Sequence, residues 1–203
     1  MKPMKMGGLV LALFVLCTAA FFVFPALSAG PLSGKKVALV IAPRNFQDRE
    51  YDAVKKALDA AGASVTVASS QKGAARGMDG AEVLVTRLLK EVKASDFDAV
   101  VFIGGPGVIV LWGDSAAQAL ARDAAAKKKP LGAICLAPVI LARAGVLKGK
   151  ACTVWPDAKA VGELKKNGGR YADKPVVTDG LVVTGNGPDA APAFAQALVS
   201  LMK

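Results

Sequence analysis

Histidine is absent from this chain of 203 residues, and cysteine is scarce, with three residues. Without an imidazole, the chain cannot build a Ser-His-Asp triad, a Cys-His pair or a histidine-based zinc site. Three cysteines are also too few for a disulfide scaffold. These absences exclude the hydrolases and metalloproteins that depend on histidine, and nothing in the sequence requires a metal or an organic cofactor.

Apolar residues make up 53% of the chain and charged residues 21%, a composition typical of a folded domain. The length fits one domain with a sizeable core. The formal net charge is +10, but no nucleic-acid motif or interleaved aromatic pattern accompanies the basic residues. We therefore interpret the charge as a surface property and expect no nucleic-acid partner. The main basic clusters are Lys55-Lys56, Lys127–Lys129, Lys148, Lys150 and Lys165-Lys166.

The first 29 residues have the pattern of a signal peptide. Lys2 and Lys5 precede an apolar run from Gly7 to about Phe24, and the small residues Ser28 and Ala29 offer a cleavage site. The run is also nearly long enough for an uncleaved membrane anchor. We expect a periplasmic or secreted domain over residues 34–203, with membrane attachment through this N-terminal segment as the alternative.

Beyond Gly34, predicted strands and helices alternate, which indicates an α/β fold with a mainly parallel sheet between two helical layers. No internal repeat or linker interrupts the alternation, so one domain is predicted. Residues 69–80 are rich in small side chains and are predicted to form a loop. Strands are predicted at Lys36–Ala42, Ser64–Ala68, Glu82–Leu88, Asp98–Ile103, Leu131–Ile134, Ala151–Val154 and in a hairpin over Val176–Thr184; helices are predicted at Glu50–Ala61, Ser115–Lys128, Pro138–Ala144 and Ala190–Met202.

The segment Gly132–Pro138 predicts a strand-to-helix elbow with Cys135 at the turn. An elbow exposes a nucleophile above a sheet, and a helix N-terminus lowers a thiol pKa, so we expect a thiolate to be accessible at neutral pH. The alternative is a buried structural cysteine.

Two further segments follow predicted strands. Asp48 and Glu50 lie near a helix N-terminus, where a carboxylate also occurs for capping alone. Gly104 and Gly105 begin a glycine-rich turn that lets backbone amides approach a substrate, although an ordinary tight turn has the same composition. The spacing of this turn does not match a dinucleotide-binding motif.

Together these segments resemble the ThiJ/PfpI family, which includes the Parkinson-disease-associated protein deglycase and PfpI-type proteases and has a flavodoxin-like α/β/α fold. The resemblance rests on Glu50 after the first strand, Gly104-Gly105 after a later one, and the Ala133–Pro138 elbow. It extends over about residues 36–202. Further matching segments are Lys148–Lys150, Gly168–Tyr171 and Val176–Gly180.

The resemblance implies that Cys135 is the reactive cysteine and that Glu50, as a carboxylic acid, hydrogen-bonds its sulfur. It assigns the amides of Gly104, Gly105 and Leu136 to the oxyanion site. It also implies a homodimer. The sequence departs from the family where a histidine is expected: Leu136 follows the cysteine, and Trp155 stands before Pro156. Trp155 is a candidate pocket wall, with core packing as its alternative.

These departures argue against a Cys-His protease but leave a thiol and a carboxylic acid in place. The leading hypothesis is a cysteine-dependent glyoxalase- or deglycase-like hydrolase or lyase that acts on small reactive carbonyls or their adducts. A redox-responsive, stress-protective protein without turnover and a ligand-binding module are the alternatives. In an oxidising compartment a Cys135–Cys152 disulfide is conceivable, although the family's strand order would direct Cys152 into the core.

Overall fold

The computed structural model describes Met1 and residues 30–203. The predicted signal peptide or anchor lies outside the described residues. Within residues 30–203, no helix combines the length and apolarity needed to cross a bilayer.

The strands of the main sheet are short, and most consist of apolar residues that are buried on both faces. Continuous apolar segments such as Val37–Val40 and Ala99–Phe102 are buried throughout, as parallel strands covered on both faces require. In chain order the strands are β1 (Lys36–Val40), β2 (Arg44–Phe46), β3 (Ser64–Ser69), β4 (Gly73–Gly77), β5 (Glu82–Val85), β6 (Arg87–Leu88), β7 (Ala99–Phe102), β8 (Leu131–Ile134), β9 (Ala151–Cys152), β10 (Arg170–Tyr171), β11 (Val176–Asp179) and β12 (Val182–Gly185).

The central sheet has seven strands in the order β11-β12-β8-β7-β1-β3-β6. Every neighbouring pair is parallel except the β11–β12 hairpin. This arrangement confirms the predicted α/β class with a mainly parallel sheet. Because the six other strands run in one direction, their carboxyl ends share one edge, which is where ligands bind in such sheets.

Helices cover both faces of the sheet and complete the predicted three-layer fold. One helical layer packs on the sheet through buried side chains such as Val54, Leu58 and Phe194. The other layer packs on the opposite face through Leu120 and Ile140. The helices are α1 (Asp48–Ala60), α2 (Ser115–Ala126), α3 (Pro138–Arg143), α4 (Ala158–Lys166) and α5 (Ala191–Met202).

The structure corrects several predicted elements. Residues 69–80 are not a plain loop, because β4 pairs with β2 and β5 in a separate three-stranded sheet. Backbone hydrogen bonds hold this sheet together, and a run of small side chains gives no sequence pattern that predicts them. The single strand predicted over Glu82–Leu88 is two strands, β5 and β6. Strand β9 is shorter than predicted and pairs with β10 outside the central sheet.

Helix boundaries also differ from the predictions. Helix α1 begins two residues early, at Asp48, because the Gln47 side chain caps it by accepting the Arg49 amide at 2.9 Å. Helix α4 was not predicted, although Asp157 caps it through the Ala160 amide. The turn after β7 continues as a 3-10 helix over Pro106–Leu111, where proline at the first position favours helical geometry.

Candidate active site

Cys135 lies in a strained turn between β8 and α3. Its φ of 60° is in the left-handed region, which costs a non-glycine residue about 1 kcal/mol or more. Hydrogen bonds hold the residue from two sides, since its amide donates to the Gly185 carbonyl at 2.9 Å and its carbonyl accepts the Trp155 amide at 2.8 Å. The thiol is buried but not sealed, with 7% of the residue exposed. The backbone here turns sharply from strand to helix, with Cys135 at the turn.

Glu50 is fully buried in the first turn of α1. Its Oε2 accepts the Gly104 amide at 3.0 Å, whereas Oε1 has no hydrogen-bond partner of standard geometry among the described residues. Oε1 is thus the oxygen free to carry a proton, and the carboxyl as a whole lies beside the Cys135 thiol. The neighbouring carboxylate has another role: Asp48 accepts the amides of Asp79 and Ala81 at 3.0 and 2.7 Å and so anchors the loop after β4.

The Gly104-Gly105 turn brings α1 and the elbow together. A side chain at Gly104 would collide with Cβ of Cys135 and come within 2.8 Å of Glu50 Oε2. Gly105 has a φ of 98° and packs so closely that a Cβ would meet the Gln47 amide nitrogen at 2.5 Å. Both positions therefore require glycine for the acid and the thiol to be neighbours.

The backbone amides divide between the two functional groups. The amides of Gly105 and Leu136 interact with the Cys135 sulfur and lower the pKa of the thiol. The Gly104 amide donates to Glu50 instead, which differs from its predicted place in the oxyanion site. The structure thus provides two amides at the sulfur and assigns the third to the acid.

Burial dominates the protonation of both groups. Burial raises the pKa of Glu50 to about 8, against the lowering effects of the Gly104 amide and the Cys135 thiol. Burial, followed by the negative charge of Glu50, raises the pKa of Cys135 to about 12. The predicted lowering of the thiol pKa is wrong, because burial and the charge of Glu50 outweigh the Gly105 and Leu136 amides, which do lower it.

At pH 7 the carboxyl of Glu50 is therefore mostly protonated beside a protonated thiol. The first proton leaves this pair near pH 8, and the remaining negative charge belongs to the pair as a whole. A thiol with a carboxylate and a thiolate with a carboxylic acid then differ only in the position of one proton. The site can form a thiolate without histidine by moving that proton from sulfur to Glu50.

A cavity of about 270 Å³ opens above the sulfur. Trp155 borders it with 44% of its surface exposed, so this side chain is not a core residue. The cavity suits a small, mainly apolar molecule with a polar group directed at Cys135. Its lining residues are Gln47, Met78, Gly105, Pro106, Cys135, Leu136, Trp155 and Pro188.

Four lining residues were not predicted as site residues from the sequence: Gln47, Met78, Pro106 and Pro188. The Gln47 side chain donates to the Met78 sulfur at 3.3 Å and links α1 to the loop after β4. Gln47 lies within the segment that contains Glu50, so its position before a helix was the available signal. Met78 had none, because it reaches the cavity through the unpredicted β4 strand.

Cys152 lies apart from this cavity and is fully buried. Both Cys135 and Cys152 are free thiols, so the described chain contains no disulfide between them. Residues 30–203 also contain no cluster of three or more cysteine, aspartate or glutamate side chains suited to a metal ion.

Comparisons with known proteins match the chain across this fold. Residues 35–201 match the model of the DJ-1/PfpI family. An uncharacterized protein of Methanocaldococcus jannaschii is 41% identical over 164 residues, which cover 80% of this chain and 80% of that protein. Protein/nucleic acid deglycase 2 of Escherichia coli is 31% identical over 171 residues, which cover 83% of this chain and 98% of that protein. The crystal structure of a ThiJ/PfpI domain protein from Brachyspira murdochii aligns with a TM-score of 0.79 at 34% identity and covers 82% of this chain and 95% of that chain.

Proposed function

This chain belongs to the DJ-1/PfpI family, and from that premise we propose that it is a cysteine-dependent enzyme for small reactive carbonyls or their adducts, similar to a glyoxalase or deglycase. The observation that carries the proposal is the Cys135 thiol at an open cavity with the buried Glu50 acid beside it. Relatives named as deglycases, at 31–32% identity, support the same reaction class.

The first step is addition of the thiolate to a carbonyl carbon. The Cys135 proton passes to the ionised Glu50, the sulfur bonds to the carbonyl carbon, and the carbonyl oxygen takes the proton from Glu50. The product is a hemithioacetal, and Glu50 is again a carboxylate. The Gly105 and Leu136 amides, which interact with the resting sulfur, are the nearest backbone donors for the developing oxyanion.

A 2-oxoaldehyde can continue from this adduct without an external oxidant. A proton moves from the thiol-bearing carbon to the neighbouring carbonyl carbon through an enediol, which yields a thioester. Water then hydrolyses the thioester to a 2-hydroxy acid and frees the thiol. Glu50 is the acid–base group placed to carry the proton in both directions.

Peptidase chemistry of the Cys-His type does not fit this chain. The sequence has no histidine, so a second copy of the chain in a homodimer would not supply one either. The proposed enzyme therefore works on carbonyls that are already electrophilic, where a thiolate and one acid are sufficient.

The test is methylglyoxal consumption by purified wild-type protein and by Cys135→Ser. We expect turnover by the wild type and only background loss with the variant, while Cys152→Ser retains activity. Equal background rates of methylglyoxal loss for the wild type and Cys135→Ser would refute the proposal that the protein is a cysteine-dependent enzyme.

A redox-responsive, protective function is the second candidate. Oxidation of Cys135 would place sulfur-bound oxygens near the Gly105 and Leu136 amides and beside the Glu50 acid, which are donors suited to a sulfinate. Mild peroxide followed by mass spectrometry should then find oxidation at Cys135 and not at Cys152. This candidate is favoured if selective oxidation occurs without methylglyoxal turnover.

The location and assembly form part of the same proposal. The N-terminal pattern of Lys2, Lys5 and the apolar run to Phe24 supports export to the periplasm or secretion, or attachment to a membrane. The family resemblance supports a homodimer. Fractionation of the producing cell and the mass of the protein in solution test these two points.

A further inference from the structure

The two ends of the parallel sheet differ in net charge. The carboxyl ends of the parallel strands carry the site, and charges of both signs balance there. Cationic side chains near this end are Arg44, Arg49, Lys72, Arg76, Lys90, Lys159 and Lys174, and anionic ones are Asp48, Asp79, Glu82, Asp114, Asp157, Asp173 and Asp189.

The opposite end, where strands begin and the long helices finish, is strongly basic. We call it the basic face. Lysines that appear scattered in the sequence converge here because α2 and α4 both end at this side. Its cationic side chains are Lys35, Lys36, Arg87, Lys93, Arg122, Lys127, Lys128, Lys129, Lys148, Lys150, Lys165, Lys166, Arg170 and Lys203, against the anionic Asp59, Glu91, Asp96, Asp98, Asp123 and Asp179.

Most of this charge is not neutralised within the described chain. Among the anions of this face, Asp98 pairs with Lys35, and Asp59 pairs with Lys55 of its own helix. Asp179 lies 3.7 Å from both Lys150 and Arg170. Lys127, Lys148 and Lys166 are exposed and form no ion pair within residues 30–203.

An apolar groove interrupts the basic face. It has a volume of about 190 Å³, and its walls combine three lysines with aliphatic side chains, including Leu181, which is 40% exposed. Lysine stems can lie along such a surface while their ammonium groups reach anions. The groove is lined by Ala125, Lys128, Lys129, Leu131, Val146, Lys150, Leu181 and Val182.

The described chain enters the fold at this same end. Gly30 packs against Ala61 and Gly62 at the end of α1, and the Leu32 amide donates to the Ala61 carbonyl at 2.8 Å. Residues 25–29 separate Gly30 from the apolar run, and so few residues reach about 20 Å at most. The chain therefore cannot hold the basic face more than about 20 Å from a membrane that contains the run. Attraction is largely screened at that maximum distance, but the short connection lets the face approach within one Debye length, about 8 Å in physiological salt, where its charges act on the lipid headgroups.

We propose that the basic face docks on an anionic lipid surface, with the site at Cys135 directed away from the membrane. Charge complementarity and the entry point of the chain favour a bilayer over other polyanions. The five residues of β1 span about 16 Å, so docking leaves the cavity open to solvent. The inference does not depend on the proposed reaction.

The test is co-flotation of residues 30–203 with lipid vesicles. The Brachyspira structure, 95% of which is covered by this chain, shows that a domain of this extent folds by itself. We expect binding to phosphatidylcholine vesicles that contain 30 mol% phosphatidylglycerol, and no binding to pure phosphatidylcholine. High salt should release the protein, because the attraction is between exposed charges.

Paired variants of equal net charge locate the binding surface. Lys127→Gln/Lys148→Gln/Lys166→Gln removes exposed charge from the basic face, and Lys90→Gln/Lys159→Gln/Lys174→Gln removes the same exposed charge near the other end. A lysine close to an anionic leaflet changes binding by about fivefold, so the first variant should bind roughly 100-fold more weakly and the second nearly as the wild type. Equal losses in both variants, binding to neutral vesicles, or tighter binding to a 30-base-pair DNA duplex than to the anionic vesicles would each overturn the proposal.

Discussion

The regions around Cys135 and Cys152 bury a thiol in contrasting ways. Both thiols have a raised pKa, about 12 at Cys135 and about 11 at Cys152, and burial is the largest cause in each case. Cys152 lies in the short β9 strand, where Gly169 leaves room for its sulfur. Cys135 adds a strained φ, two sulfur-directed amides, a cavity and the acid Glu50. Burial alone therefore does not distinguish a reactive thiol; the polar groups arranged around it do.

The largest expected contrast is in alkylation. Iodoacetamide should modify Cys135 roughly 100-fold or more faster than Cys152, because Cys152 becomes accessible only through local unfolding. The rate at Cys135 should rise through pH 8 as its pair with Glu50 loses the first proton. Peptide mapping by mass spectrometry reads each cysteine separately. Comparable rates at the two cysteines would remove the distinction between the regions.

Removal of the acid should reduce turnover by about 100-fold, the usual contribution of one general acid–base group. Glu50→Gln keeps the size and the amide hydrogen bond of the side chain but cannot accept the thiol proton. The alkylation rate of this variant should lose its rise near pH 8. Glu163→Gln is the matched control, since Glu163 pairs with Arg143 away from the cavity. Equal effects of the two substitutions would show that Glu50 acts only through stability.

Much of this contrast could be predicted from the sequence, and the reasons are local. Apolar runs identified the central strands, and the order strand, cysteine, proline placed Cys135 at an elbow. The distinction between Asp48 and Glu50 could not be made, because two residues of the same charge in one helical turn differ only in what the fold places opposite them. The thiol pKa was predicted in the wrong direction, because burial outweighs a helix dipole and is not visible in sequence.

The unpredicted elements share one physical property. Strand β4 is Gly-Ala-Ala-Arg-Gly and is held by backbone pairing, so no side-chain periodicity marks it. Its position matters for the site, because the loop that follows it supplies Met78 and is anchored by Asp48. The separation of charge between the two ends of the domain could not be predicted either, because residues distant in sequence, such as Lys36 and Lys166, come to the same end only through the topology of the fold.

Stability should also reveal the buried acid. The native pKa of Glu50 is about 8 and its ordinary value is 4.5, so the native state keeps a proton that the unfolded chain releases between those values. Stability therefore falls as pH rises through this window, by a few kcal/mol in total. The chain has no histidine, so between pH 5.5 and 8.0 the ordinary side-chain pKa values of its other groups lie outside the range measured. Urea unfolding at pH 5.5, 7.0 and 8.0 measures the slope.

The same measurement on Glu50→Gln provides the control. Its stability should be nearly flat between pH 5.5 and 8, because the substituted amide does not titrate. A slope equal to that of the wild type would assign the pH dependence to another group and would weaken the description of the Cys135 region as a protonated pair.

The smallest effect is expected at the rim of the site. Arg49 Nη2 lies 2.8 Å from Asp189 Oδ1, but 62% and 93% of these side chains are exposed, so the pair contributes at most about 1 kcal/mol to stability. Arg49 also lowers the pKa of Glu50, as the weakest of the causes that act on it. Arg49→Gln should therefore shift the alkylation profile of Cys135 slightly towards higher pH and leave maximal turnover within about twofold. Asp189→Asn keeps the Arg49 charge and should leave the profile in place. If the alkylation profile shifts as far in Asp189→Asn as in Arg49→Gln, the ion pair acts on the site as a unit. The polar groups that distinguish Cys135 from Cys152 would then extend to the surface.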